Sequence, residues 1–253
     1  MKNSARLAFT SLYEEYETYI DKISKSKNKE NLLSSISSFV EFVGCEYYVY
    51  ACFTPSDHGY KKDEIILING YPQEWRDHYD YNGYASFDPV VKICKKSVMP
   101  FKWSNIDCGL VGDKPIMEEA KEFGLSYGWT VPLHSIGGEW SLLSIASSSC
   151  DDFFMRDNDP RLALSYLVMP AINKVMTDTC AVKIERKSKI DKVTEREREV
   201  IAWAADGKTN WEISKIMVIS ESTVRFHIKN VSYKMGASNK VSAVSKAILY
   251  GVI

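Results

Sequence analysis

Residues 194–247 read TEREREVIAWAADGKTNWEISKIMVISESTVRFHIKNVSYKMGASNKVSAVSKA, and this stretch decides the organisation of the chain. Thr194 with Glu197, and Thr209 with Glu212, are two Ser/Thr-x-x-Glu capping boxes, each able to start a helix by satisfying orphan backbone N–H groups from both sides. The first helix ends at Gly207. The second is short, over 210–217, and Val218-Ile219-Ser220 turns the chain. Ser220 caps a third helix over 221–235, which Gly236 ends, and 239–250 form a fourth. In the third helix Val224, Ile228, Val231 and Met235 make one apolar stripe. The opposite side carries Ser222, Thr223, Arg225, Phe226, Lys229 and Asn230. Arg225 and Lys229 are four residues apart and reach in one direction, as a groove-reading helix requires. A packed helical hairpin with a basic outer face is the bland alternative. Two capped helices, a three-residue turn and that basic face together favour double-stranded DNA.

Charge supports a division into two parts. From Lys183 to Ile253 there are 14 Lys and Arg against 8 Asp and Glu, a net of +6, while residues 1–182 hold 18 against 25, a net of −7. The overall −1 hides an acidic body and a basic C-terminal piece. Such asymmetry points to a polyanionic partner for the smaller part, although a solvated basic surface has the same charge.

Ahead of this piece, residues 4–43 read as two helices separated by the Lys25–Lys29 turn. The run 46–54 (EYYVYACFT) is a strand covered on both faces, 63–69 (DEIILIN) is a second strand, and 129–136 with 140–147 make a hairpin around Gly137-Gly138. Between 72 and 124, Pro72, Pro89, Pro100 and Pro115 break a helical pattern into short helices. A long helix over about 160–180 closes the domain, with Pro170 expected to kink it. This order implies an α+β fold, an α-β-α sandwich with an antiparallel sheet, followed by an all-α four-helix helix-turn-helix domain. The expected boundaries are 1–180 for the sandwich, 181–192 for a charged linker and 193–253 for the DNA-binding unit.

Several classes fall away. The six cysteines (45, 52, 94, 108, 150, 180) and four histidines (58, 78, 134, 227) show no metal-ligand spacing. Free, mostly buried thiols and no metal or cofactor are expected. The N-terminus turns acidic before any signal-like apolar run, and no stretch approaches the ~18 apolar residues that span a bilayer. A cytoplasmic protein without a membrane partner is the expectation. An enzyme would need a metal cluster or a nucleophile beside a base, and Ser144 on a mid-sheet strand has no evident histidine. Residues 1–182 also lack the fivefold βα repeat of a phosphorylated receiver domain.

The stretch 71–103 carries the candidate small-molecule site. It spaces Tyr71, Trp75 and Tyr79 four apart, then brings Asp88-Pro89 and Trp103. Such an aromatic stripe is ordinarily core. Asp88 changes the balance, because an acid turned toward it needs a donor and no Arg or Lys is obviously spaced to supply one. A ligand amide would serve. Alternation along 140–146 puts Trp140, Leu142, Ser144 and Ala146 on one strand face.

Residues 194–253 closely resemble the LuxR/GerE-type helix-turn-helix over their whole length, with a departure at Val193, where Leu is usual. The spacing of Trp75, Tyr79, Asp88, Pro89, Trp103 and Gly128 is similar to that in the autoinducer-binding domain of LuxR-type quorum-sensing receptors. The resemblance implies that Glu197, Ile201 and Gly207 hold the four-helix unit together. It also implies that Arg225 and Lys229 contact bases and that the fourth helix is a dimer contact. Its implied ligand is an N-acyl-homoserine lactone. By the same resemblance Trp75 donates to the lactone carbonyl, Asp88 accepts from the amide N–H, and Tyr71 donates to the acyl carbonyl with Ser144 as second donor. Tyr79 and Trp103 wall the lactone ring, while the 140–146 face and Val49, Ala51 and Phe53 meet the acyl chain. Thr130 and Arg76 are candidates for a 3-position oxygen, directly or through water, with a plain surface charge the alternative for Arg76. The expected assembly is a homodimer on an inverted repeat with half-sites ~10 base pairs apart, since one reading head touches too little DNA for a specific site. RNA polymerase is a further partner if the protein is an activator. The rival readings are a receptor of this fold for another small molecule, or one released from DNA by its ligand.

Overall fold

The computed structural model describes residues 2–54, 64–106, 116–135, 138–149, 160–179 and 192–253. A first compact unit takes in Met1–Thr54, Glu64–His134 and Trp140–Thr179, and the helices from Glu195 onward lie in a second. The expected linker at 181–192 falls, but for Lys192, outside the described residues, as do Gly137, Pro115 and three of the cysteines; the other three, Cys45, Cys52 and Cys94, are buried and not joined in a disulfide.

The first unit opens with helices α1 (Lys2–Ser24) and α2 (Lys29–Phe42), the second capped by Asn28, whose side chain accepts from the Asn31 N–H. Strands β1 (Tyr47–Thr54) and β2 (Glu64–Gly70) follow, then α3 (Gln73–Tyr81), a single 3-10 turn at Tyr84–Ser86 and α4 (Pro89–Cys94). After a two-residue strand β3 (Phe101–Lys102) and a second 3-10 turn (Trp103–Asn105) come α5 (Ile116–Glu122), β4 (Tyr127–His134), β5 (Trp140–Ser147) and α6 (Pro160–Thr179). The strands form one antiparallel sheet in the order β2-β1-β5-β4-β3. The sequence pattern gives four strands and misses β3. Two residues behind Pro100 are too few to show an alternation, and they pair only at the edge of β4.

The middle strands are buried on both faces, and strand alternation divides their residues between two cores. Tyr48, Tyr50, Cys52, Leu143 and Ile145 face α1, α2 and α6. On that side the polar tips of three aromatics are met. Tyr48 donates to Leu33 O, Tyr50 to Asn173 Oδ1 and Trp129 to Ser165 Oγ. Helix α6 continues through Pro170 and packs along α1. On the opposite face Val49, Ala51, Phe53, Trp140, Leu142 and Ala146 meet the short helices α3, α4 and α5.

In the second unit, α7 (Glu195–Ala205), α8 (Asn210–Ile216), α9 (Glu221–Lys234) and α10 (Lys240–Leu249) enclose their own core of Val200, Ile201, Ile213, Val224, Val231 and Ala247. Both capping boxes are present in full, with Thr194 and Glu197, and Thr209 and Glu212, bonded reciprocally. Helix α8, a four-residue turn and α9 make the helix-turn-helix. Within the turn Val218 adopts φ +54° with its side chain exposed, a conformation that costs a non-glycine residue roughly 1–2 kcal/mol.

Lysines fix the orientation of α9. Lys246 donates to the carbonyls of Met235 and Gly236 at its C-terminal end, and Lys234 pairs with the buried Glu197 at 2.6 Å. Burial pushes the Glu197 carboxyl up, but Lys234 and the Thr194 N–H and hydroxyl outweigh it and hold the group below the usual carboxylate range. A depressed folded-state value contributes stability above the unfolded-state value and loses it as pH falls through the folded one. Thermal unfolding of Glu197→Gln from neutral to acid pH is therefore expected to show lower stability than wild type at neutral pH and a difference that shrinks on acidification. A gap that stays constant with pH would remove the ion pair from this role.

Candidate functional site

The α3–α4–α5 side of the sheet encloses a cavity of about 350 Å³. Val49, Ala51 and Phe53 of β1 and Leu142 and Ser144 of β5 form its floor; Trp75, Arg76 and Tyr79 of α3 and Val90 and Val91 of α4 form its walls, with Ile116, Met117 and Ala120 of α5. Of the residues singled out in the sequence, Val49, Ala51, Phe53, Tyr71, Trp75, Arg76, Tyr79, Asp88, Trp103, Leu142 and Ser144 all line it.

Two do not. Thr130 is fully buried behind the wall, where its hydroxyl accepts from Trp103 Nε1 at 2.9 Å and lies 2.7 Å from Ser144 Oγ. It is not among the residues that line the cavity. Trp140 stacks on Phe53, with ring centroids 3.9 Å apart, and so backs the floor instead of forming it. Tyr71 also differs from expectation. It follows β2 and precedes Pro72, so it is not on the helix with Trp75 and Tyr79, yet the sharp entry into α3 brings all three together.

Asp88 departs most from the sequence reading. Its carboxylate has donors within the protein: Oδ1 accepts from the Val90 N–H at 2.7 Å and Oδ2 from the Tyr79 hydroxyl at 2.8 Å. Asp88 is the N-cap of α4 and Pro89 its first residue. That Asp-Pro pair is itself a helix-start signature, and it was the signal available in the sequence for this role. Burial still holds the Asp88 carboxyl above the usual range, against the lowering pull of Tyr79, the Val90 and Val91 N–H groups and Lys92. Burial, with Asp88 adding to it, also pushes the Tyr79 hydroxyl far above its ordinary value, so it remains a donor.

The donors left over are on Tyr71 and Trp75. The Tyr71 hydroxyl is buried without a hydrogen-bond partner, and its pKa is raised by burial, with the nearby Ser144 hydroxyl opposing the shift. The Trp75 indole N–H likewise has no partner among the described residues, while its ring packs against Tyr79, Tyr84 and Phe123. Arg76 is held by Asp80 on its own helix and lies over the Tyr79 ring, 4.9 Å from its centroid. Behind α3 a clasp that the sequence did not reveal joins His78 and Tyr84 to Glu119 of α5. Its members are 41 and 35 residues from Glu119, too far apart for any local pattern to show.

On α9, Ser222, Arg225, Phe226 and Lys229 are exposed, and Thr223 and Asn230 are partly so. Ser220 caps the helix through the Thr223 N–H and holds the hydroxyls of Ser222 and Thr223 at 2.7 Å. Arg225 pairs with Glu221 one turn earlier, whereas Lys229 makes no ion pair among the described residues. Among those residues there is also no His, Cys, Asp and Glu group able to hold a metal ion, and no helix long and apolar enough to cross a membrane.

A sandwich with a polar-edged apolar cavity, followed by a helix-turn-helix, is the architecture of a ligand-responsive DNA-binding regulator. Residues 28–173 match the autoinducer binding domain family, and residues 191–247 match the bacterial regulatory proteins of the luxR family. The transcriptional activator protein LuxR of Aliivibrio fischeri is 32% identical over 240 residues, 94% of each chain. VanR of Vibrio anguillarum is 32% identical over 212 residues, 83% of this chain and 86% of its own. The fold is shared with Escherichia coli SdiA, at a TM-score of 0.77 and 24% identity over 96% of this chain and 99% of that one. It is shared also with SdiA in complex with octanoyl-rac-glycerol, at 0.76 and 23% over 95% and 96%. The chain belongs to the LuxR family: it is a quorum-sensing transcriptional regulator with an autoinducer-binding domain and a DNA-binding helix-turn-helix domain.

Removing the Tyr79 hydroxyl leaves Asp88 Oδ2 in an apolar wall without its donor, which costs about 1–3 kcal/mol. Tyr79→Phe is expected to lower the melting temperature of the unliganded protein, and Asp88→Asn,Tyr79→Phe to recover part of the loss. An unchanged melting temperature in the single variant would show that the bond contributes nothing to stability.

Proposed function

We propose that the cavity binds an N-acyl-homoserine lactone and that the liganded protein, as a homodimer, binds an inverted repeat and activates transcription. The observation that carries the ligand reading is the polar edge of the cavity. Tyr71 O–H and Trp75 N–H, neither with a hydrogen bond among the described residues, lie on residues that line it beside the Asp88 carboxylate and the Ser144 hydroxyl. The other charged lining residues, Arg76 and Asp80, are paired with each other. A ligand with two carbonyls, one amide N–H and an alkyl tail complements that set. Trp75 donates to the lactone carbonyl, Tyr71 and Ser144 donate to the acyl carbonyl, and Asp88 accepts from the amide N–H with the lone pairs that Tyr79 and Val90 leave free. Tyr79 and Trp103 border the ring, while Val49, Ala51, Phe53 and Leu142 meet the acyl chain. The domain boundaries proposed with this reading are 1–180, 181–192 and 193–253, and the setting is the cytoplasm.

Each unit presents an apolar surface that supports a dimer. Helix α10 exposes Val241 and Ile248, two turns apart, and α6 exposes Tyr166 and Leu167. A two-fold pair of reading heads matches an inverted repeat with half-sites about one helical turn apart. Activation, with RNA polymerase as the partner, follows the character of the named relatives.

A void of this size is costly in a packed interior, and a ligand that binds only the folded chain stabilises it by about 2.7 kcal/mol at a hundredfold excess over Kd. Expression with and without a panel of lactones is therefore expected to show ligand-dependent soluble yield and melting temperature, with the bound lactone recovered in organic extract and identified by mass. Octanoyl glycerol is the control, because its ester has no amide N–H. Asp88→Asn should raise the half-saturating lactone concentration about tenfold, from ~1.5–3 kcal/mol, and leave any response to the ester less affected. Equal yield and melting with and without every lactone would refute the reading.

Arg225 and Lys229 are proposed to contact bases, with Ser222, Thr223, Phe226 and Asn230 beside them on the face that enters the major groove. Arg225→Ala and Lys229→Ala are expected to abolish specific operator binding while leaving lactone-dependent melting intact. Loss of lactone response or aggregation in either variant would assign the residue to the fold instead.

A further inference from the structure

Behind the cavity floor an indole and two hydroxyls form a chain whose direction is fixed by what each group can donate. Trp103 Nε1 lies 2.9 Å from Thr130 Oγ1, which lies 2.7 Å from Ser144 Oγ. The indole N–H is a donor only, so the first link runs from Trp103 to Thr130. Thr130 and Ser144 are directly opposite in the β4–β5 ladder, and both are buried. Thr130 has no further hydrogen bond among the described residues, and the remaining polar neighbour of Ser144 is the Tyr71 hydroxyl on the cavity side. If Ser144 donated to Thr130, the Thr130 proton would be left buried without an acceptor, at about the cost of a lost hydrogen bond. Thr130 therefore donates to Ser144, and the Ser144 proton has no taker inside the wall. Ser144 lines the cavity, and Thr130 does not.

We propose that Thr130 is a positioning residue that never touches the ligand: charged with the Trp103 N–H, it forces Ser144 to be a hydrogen-bond donor and so selects a carbonyl oxygen at that point of the acyl chain. This rests on the acyl-amide reading of the cavity. A carbonyl oxygen accepts two hydrogen bonds, and the buried, unpartnered Tyr71 hydroxyl supplies the other. The chain is anchored at its far end by Gly128, two residues before Thr130 on the same strand face. A Cβ built there would lie 2.1–2.4 Å from the Trp103 ring atoms. The indole therefore lies flat on bare backbone, which aims its N–H at Thr130. Thr130 thus orients the donor for the acyl carbonyl instead of binding a 3-substituent.

The test uses the purified full chain and reads half-saturating concentrations from ligand-dependent melting. The probes are short-, medium- and long-chain N-acyl-homoserine lactones and their N-thioacyl counterparts, which keep the N–H but present sulfur, a weak acceptor. Wild type should prefer the oxo ligand about tenfold. Thr130→Val should collapse that preference by weakening the oxo ligand alone, and Thr130→Ser should restore it. In a Ser144→Ala background, Thr130→Val should leave the remaining preference unchanged. Equal weakening of oxo and thio ligands by Thr130→Val, or failure of Thr130→Ser to restore the preference, reduces Thr130 to packing and overturns the inference. Wild type that binds both series alike overturns it also, while leaving the ligand reading standing. Wild type that binds no lactone of the panel overturns that reading and this inference with it.

Discussion

A carboxylate placed in an apolar wall has to be met by donors or it costs several kcal/mol, and the cavity side of the first unit is arranged around meeting that demand at Asp88. One oxygen is used to start α4, through the Val90 N–H, and the other takes the Tyr79 hydroxyl from α3. The two short helices that form the wall are thereby tied at one atom group. Because the group is an acid, two acceptor sites remain after both bonds are made. The residue ties the wall together and still presents acceptor capacity beside the cavity. The same bond explains why Tyr79 belongs to the wall. Its ring is part of the apolar surface, and its hydroxyl is spoken for.

The sheet imposes a second constraint. Period-two alternation obliges β1 and β5 to serve two interiors, and the two are filled by opposite means. Toward α1, α2 and α6 the aromatics Tyr48, Tyr50 and Trp129 all find partners for their polar tips. On the other face the Tyr71 hydroxyl does not. An unmet polar group is unusual in a protein interior. On the α1, α2 and α6 side the unmet atoms are the small hydroxyls of Ser141 and Thr54, whereas on the cavity side it is an aromatic donor whose ring lines the hollow.

Much of this was legible in the sequence where the physics is local. Capping boxes at Thr194 and Thr209, the Ser220 cap and the stripe Val224, Ile228, Val231 and Met235 are each written within one or two turns, and the second unit follows them closely. The uninterrupted apolar run at 46–54 likewise announced a strand with no solvated face. What was not legible depends on contacts between distant segments. Nothing near Asp88 in sequence reveals that Tyr79 turns back to it across a glycine in the left-handed region at Gly83, nor that Thr130 bonds to a tryptophan 27 residues earlier. Periodicity could assign Trp140 to the cavity face, yet only packing decides that Phe53 stands in front of it. Tyr71 was placed correctly against the cavity on a wrong premise, a helical stripe it does not join.

Gly128 gives the chain a way to change what it accommodates without altering any surface the occupant meets. With the Trp103 ring resting on its Cα, a methyl group added there would lie 2.1–2.4 Å from the ring atoms, so the ring, which borders the hollow, would have to shift. A side chain at this position would work as a spacer behind that ring, taking roughly its own thickness from the cavity. Capacity would thus be adjusted from the rear, by changes a comparison of lining residues would overlook.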